Sequence, residues 1–117
     1  MLIYEVNLTV DAEISTEYSA WLREHVRELL ELDGFEGAAW YIRTETGDAI
    51  PDDEAPDGPR HWTLHYYVRD DEAMQAYLDE HAERFRQDSS DRFKGRTSID
   101  RRILQRARTF SAPAATS

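Results

Sequence analysis

Two periodicities alternate along the 117 residues, and their order leaves few folds open. Residues 2–10 have a period of two: Leu2, Tyr4, Val6, Leu8 and Val10 form one apolar series, set against Ile3, Glu5, Asn7 and Thr9. Successive side chains of a strand point to opposite faces, so this segment predicts a strand with one apolar and one mixed face. The spacing then changes. Ile14, Tyr18, Leu22, Val26, Leu29 and Leu30 share one side of a helix, with Asp11 and Ser15 as candidate caps and Asp33-Gly34 as its stop. Residues 35–44 and 60–69 return to strand patterning, the second with Trp62, Leu64, Tyr66 and Val68 on one face. Asp70 or Asp71 caps a second helix, whose buried stripe is Met74, Tyr77, Leu78, His81 and Phe85, with a break expected near Asp88-Ser89-Ser90. Residues 97–106 read as the last strand.

The order is therefore β-α-β-β-α-β. Right-handed crossovers place the first and third strands at the centre of a four-stranded antiparallel sheet, with both helices on one face. This is an α+β, ferredoxin-like sandwich. One domain spans residues 1–106. Within it, residues 45–59 read as an acidic flexible loop holding six acids, no base and three of the four prolines. Residues 107–117 read as a disordered tail. A short internal repeat agrees with two βαβ halves: Ala20-Trp21-Leu22-Arg23-Glu24-His25-Val26 matches Ala76-Tyr77-Leu78-Asp79-Glu80-His81-Ala82 at four of seven positions.

Composition removes several functions. With no cysteine, disulfides, thiol catalysis and iron–sulfur ligation are excluded. A formal net charge of −10 argues against nucleic acid and anionic membrane as partners, both of which need a positive surface. The N-terminus lacks a basic leader and no apolar run is long enough for a bilayer, so a cytoplasmic location is expected. The charge is uneven: from Arg92 to Arg108 there are seven bases and one acid, Asp100. These bases are expected to pair with acids of the same chain or of a partner subunit. Neither a phosphate-binding glycine loop nor a nucleophile elbow is present, so no cofactor is expected. Asp48, Asp52, Asp53, Glu54 and Asp57 lack the alternating spacing of a calcium loop, and His25 and His81 are too few for zinc or iron, so no metal is expected.

The sheet face without helices carries Glu5, Asn7 and Thr9 from the first strand and Thr63, His65, Tyr67 and Arg69 from the third. The second strand adds either Trp40 and Ile42 or Tyr41 and Arg43, decided by a bulge near Gly37. Large aromatics among polar groups on one face favour two such sheets packing together, a homodimer enclosing a polar-lined cavity. The candidate ligand residues are Glu5, Asn7, His65 and Arg69. The candidate catalytic residues are His65 to move a proton, Tyr67 to stack and Arg69 to hold an anion. Because the last strand lies beside the first, Glu5 is expected to pair with Arg101 or Arg102. The fitting ligand is a small anionic or aromatic molecule. Two functions follow: a homodimeric small-molecule-binding or structural protein, or a cofactor-independent monooxygenase- or isomerase-like enzyme acting in the dimer cavity. His25 and His81 lie on the helix stripes and are expected to be buried imidazoles with hydrogen-bond partners, the alternative being a general base or metal ligand.

Met1-Leu2-Ile3-Tyr4-Glu5-Val6, Trp21-Leu22-Arg23-Glu24-His25, Trp62-Thr63-Leu64-His65-Tyr66 and Tyr77-Leu78-Asp79-Glu80-His81 resemble an uncharacterised bacterial domain-of-unknown-function family. That family is placed near the antibiotic-biosynthesis-monooxygenase-like dimeric α/β barrels. The resemblance implies the fold and a homodimer, and no particular reaction. Some dimeric α/β barrels degrade haem with an asparagine on the first strand, a tryptophan ending the third and a helix histidine. Asn7 and His81 match two of these parts, while Val68-Arg69 occupies the tryptophan position.

Overall fold

The computed structural model describes residues 1–43 and 59–114. The expected acidic loop, apart from Pro59, and residues 115–117 of the expected tail lie outside the described residues. Strands β1 (Leu2–Val10), β2 (Phe35–Ile42), β3 (Arg60–Val68) and β4 (Thr97–Gln105) form a sheet in the order β2-β3-β1-β4, every neighbouring pair antiparallel. This is the ferredoxin-like arrangement, with β1 and β3 central. Helices α1 (Ser15–Leu30), α2 (Asp71–Glu80) and α3 (Ala82–Phe93) cover one face.

The alternating residues of the two central strands make the core. Leu8 lies opposite Trp62 and Val6 opposite Leu64, and all four are buried beneath the helices with Tyr66 and Val68. Tyr18 and Leu22 of α1 and Met74 and Tyr77 of α2 close over them. Much of the packing is aromatic: the Tyr18 ring centroid is 4.8 Å from that of Phe93, and Tyr4 is 5.5 Å from Tyr77.

Local chemistry sets the element ends. The Asp11 carboxylate accepts from the Glu13 N–H at 3.1 Å and opens a single 3-10 turn, Ala12–Ile14, ahead of α1. Gly34 has φ +86°, and a Cβ there would lie 2.3 Å from the Ala73 Cβ, so the turn into β2 requires glycine twice over. The Asp70 carboxylate caps α2 by accepting from the Ala73 N–H at 2.9 Å.

The second helical region departs from expectation. The break falls at His81, φ −127°, and the helix runs straight through Asp88-Ser89-Ser90. Tertiary contacts override weak helix propensity there: Ser89 is buried, and Asp88 accepts from the Trp21 indole at 3.0 Å. The buried residues Ala73, Met74 and Tyr77 precede the break, and Ala82, Phe85, Ser89 and Phe93 follow it. At 100° per residue, the second stripe is rotated by about a third of a turn from the first, which one continuous helix would not allow.

Three of the seven bases from Arg92 to Arg108 pair with acids among the described residues: Arg92, Arg96 and Arg102. Arg96 holds Asp11 at 3.1 Å and Glu13 at 2.6 Å, and Arg92 lies 3.9 Å from Asp88. No helix among the described residues is long and apolar enough to cross a membrane.

Candidate functional site

The bulge near Gly37 decides what β2 presents. Register shifts between Phe35 and Gly37, and Trp40 then packs edge-on against Trp62 at 4.9 Å, on the core side. Tyr41 and Arg43 consequently lie on the other face of the sheet, which no described helix covers.

A continuous polar network occupies the centre of that face. Register brings Glu5 opposite both His65 and Arg102, and Asn7 opposite Thr63. Glu5 is only 5% exposed. Its Oε1 lies 2.8 Å from His65 Nε2, and its Oε2 accepts from Asn7 Nδ2 at 3.1 Å and from Arg102 Nε. Asn7 Oδ1 accepts in turn from the Thr63 hydroxyl at 2.7 Å and from Arg43 at 3.1 Å. Arg43 also donates to the Trp62 and Leu8 carbonyls at 3.1 and 3.2 Å. Burial by itself would raise the Glu5 pKa; the hydrogen bonds from Arg102, His65 and Asn7 outweigh it and hold the carboxyl at about 2. An ionised carboxylate only accepts, so His65 donates to it through a proton on Nε2. The Tyr41 ring, 46% exposed, stands T-shaped against His65 at 5.1 Å. A hydrogen bond between Tyr41 and Tyr67 raises the Tyr67 pKa.

The structure thus brings together Glu5, Asn7, His65 and Tyr67, and separates Arg69 from them. Alternation along β3 ends at Val68. Beyond it, the Arg69 N–H donates to the Gly34 carbonyl at 2.8 Å, and its guanidinium turns to Asp33 at 3.3 Å and Asp70 at 3.4 Å. Arg101 lies opposite Val6 on the helix side, so Arg102 is the partner of Glu5. Arg43 and Tyr41, which the alternation left open against Trp40 and Ile42, complete the group.

The helix histidines differ from expectation and from each other. His25 stacks on Trp21 at 4.7 Å and meets the Phe85 ring edge-on at 5.2 Å. Its buried Nδ1 has no hydrogen-bond partner among the described residues. Burial depresses its pKa to about 4, against the opposing pull of Asp88. His81 is not a core residue: it joins α2 to α3 with its side chain 30% exposed, Nε2 lying 3.8 Å from Glu80. Its Nδ1 also lacks a partner among the described residues. The repeat that contains the two histidines therefore does not give them equivalent places. Between helices and sheet is a cavity of about 30 Å³, bordered by His25, Tyr66, Tyr77 and Arg86. The Tyr66 hydroxyl there is unpaired among the described residues, and burial pushes its pKa up. That space suits a water and no larger ligand. Asn7 and His81 lie on opposite sides of the sheet, so the two haem-type parts do not meet. Among the described residues no three or more His, Asp or Glu side chains gather as metal ligands.

Residues 1–107 match the family described as Domain of unknown function (DUF4286). The chain belongs to that family. No curated protein matches this DUF4286 chain. Solved structures share its fold. SnoaB, a cofactor-independent oxygenase from Streptomyces nogalater, superposes as a variant with a TM-score of 0.64 at 11% identity, over 95% of this chain and 98% of that one. The haem degrader MhuD from Mycobacterium tuberculosis gives 0.56 at 14% identity, over 93% and 99%. The de novo designed protein Foldit4 gives 0.54 at 13% identity, over 90% and 97%. An oxygenase, a haem degrader and a designed protein sharing one fold means that the likeness carries the fold alone, and function must be argued from side chains.

Proposed function

We propose that this DUF4286 protein acts in the bacterial cytoplasm as a homodimer closed across its uncovered sheet face, and binds a small anionic or aromatic molecule between the two sheets. The Glu5 network carries this reading. A carboxylate that is 5% exposed, charged and bonded by three side chains is an ordered centre, and it sits on a face bordered by Tyr41 and Tyr67. Twofold packing would cover those rings while keeping the polar groups paired. Arg43 and Arg102, the latter's side chain 66% exposed, take the anion-holding part first given to Arg69. Light scattering tests the assembly: a dimer is expected at micromolar concentration, and a stable monomer overturns the reading. Small aromatic acids are expected to raise the melting temperature of the dimer, and less so in Arg43→Ala.

A second reading rests on the Glu5–His65 contact. With Nε2 turned to the carboxylate, Nδ1 of a neutral imidazole would take a proton from a phenolic substrate, the start of cofactor-independent chemistry. Turnover that depends on His65 would favour this enzyme; ligand binding without turnover would favour a carrier or sensor.

A further inference from the structure

Strand register lays out the uncovered face in rows. One row crosses β4, β1 and β3 as Arg102, Glu5 and His65, and the row beside it as Leu104, Ile3 and Tyr67. The first row is polar and the second apolar. Glu5 is buried between its neighbours, whereas Arg102 is exposed and His65, Ile3, Tyr67 and Leu104 are each half-buried. What a ligand can touch is therefore a cation at one end, an imidazole at the other, and an apolar lane running beside both.

The two ends have bonding capacity to spare. Arg102 gives only its Nε to Glu5, and its terminal nitrogens have no hydrogen-bond partner among the described residues. Arg43 differs: its terminal nitrogens are taken up by Asn7, Thr63 and the Trp62 and Leu8 carbonyls. The paired donors that a carboxylate needs thus come from Arg102, with Arg43 ordering the network behind it. At the other end, His65 turns Nε2 to Glu5 and leaves Nδ1 without a partner among the described residues. A hydroxyl pairs with an imidazole nitrogen in either protonation state, donating to the bare nitrogen or accepting from the N–H. The β2 side of His65 is closed. Tyr41 stands against the ring at 5.1 Å, and Tyr67, hydrogen-bonded to Tyr41, leans over Gly37, where a Cβ would lie 3.3 Å from its ring. A ligand that meets His65 therefore lies over β1 and β4.

We infer that this face takes a hydroxyaryl carboxylate with its two polar groups at opposite ends of the ring: the carboxylate on the Arg102 terminal nitrogens, the phenol on His65 Nδ1, and the ring along Ile3 and Leu104. The inference rests on the small-molecule reading above and names the ligand class of that site. Arg102 and His65 stand two strand spacings apart, about 9.5 Å at the backbone, and both lean inward to Glu5. One benzene ring with para substituents fits such a span. With the two groups on adjacent ring carbons, one end of the site goes unmet.

Calorimetric titration of the full-length protein with four compounds tests this: 4-hydroxyphenylacetate, its 2-hydroxy isomer, phenylacetate, and the neutral 4-hydroxyphenylacetamide. The first is expected to bind at least tenfold more tightly than each of the others. Equal affinity for the three acids overturns the inference and leaves the broader reading of an aromatic-acid site standing; an amide that binds as well as the acid overturns it too. Binding of none of the four removes both. This comparison uses the unaltered chain and does not depend on any variant folding. Two variants then place the groups. His65→Phe is expected to erase the advantage of the 4-hydroxyl and keep that of the carboxylate, and Arg102→Gln to do the reverse. A folded variant that keeps the full discrimination contradicts the assignment of that end.

Discussion

The two faces of the sheet treat polar groups in opposite ways. On the helix-covered face, buried Tyr66 and half-buried His25 each leave a shielded polar atom unpaired among the described residues. On the uncovered face, Glu5 and Asn7 are bonded on every side within reach. Shape explains the first: large aromatic rings fill the core, and their polar tips fall where no partner can follow. Register explains the second: antiparallel pairing sets Glu5 between His65 and Arg102 and Asn7 beside Thr63, so the partners arrive with the backbone. Stability is thus built on one face and polar order on the other.

Substitution should separate them. The largest effect is expected from Trp62→Ala on the covered face, a loss of about 3–5 kcal/mol in denaturant unfolding. Tyr41→Ala on the uncovered face should cost the monomer much less and act instead on dimerisation. If Trp62→Ala is mild, the aromatic core is not what holds the fold.

Next comes Glu5→Gln, expected to cost about 1.5–3 kcal/mol at neutral pH. Its pH dependence has a definite sign. The Glu5 pKa is depressed from 4.5 to about 2, so its contribution is present above about pH 4.5 and is lost as pH falls towards 2. Unfolding curves of wild type and Glu5→Gln should converge over that window. A constant difference between pH 5 and pH 2 would show that the carboxylate charge is not what the network stabilises.

Gly34→Ala is expected to cost more than Gly95→Ala. Both glycines have positive φ, +86° and +79°, but only at Gly34 would the new Cβ strike a neighbour, that of Ala73. The strain common to both is worth about 1 kcal/mol. Equal losses would mean that the α2 end yields to the contact.

The smallest effect belongs to His25→Phe, expected to be neutral or slightly stabilising at pH 7, because it removes an unpaired polar atom in an aromatic stack. The His25 pKa is lowered from 6.5 to about 4, so protonation favours the unfolded chain, and wild type should lose stability between about pH 6.5 and 4. His25→Phe should lack that loss. The two faces would then titrate in adjoining windows, the covered one first as pH falls.

Much of this was legible in the residues. Alternation in β1 and β3 named both faces, and positive φ at Gly34 follows from its place after the first helix. Three features were not. The helix break at His81 carries no glycine or proline, and only the rotated stripe of Ala82 and Phe93 betrays it. Arg69 continues the alternating count past the point where the strand ends, so counting put it on the wrong side. The unpaired His25 is invisible to periodicity, which reports where a ring lies and says nothing about what its nitrogens find. By contrast, Tyr41 and Arg43 were within reach, waiting on the bulge at Gly37.

The central position of β1 also has a consequence in time. Leu2 pairs with Val68 on one side and with Gln105 on the other, so the first of the four strands to be made is completed only by the last of them. Until β3 is made the apolar series from Leu2 to Val10 has no sheet to belong to, and until β4 emerges β1 keeps one bare edge. Contacts this distant slow folding and make it depend on the whole length being available. A nascent chain of this protein would have to keep one edge of β1 unpaired until its last strand is made, and a chain stopped before Thr97 would present that open edge to any neighbour able to pair with it.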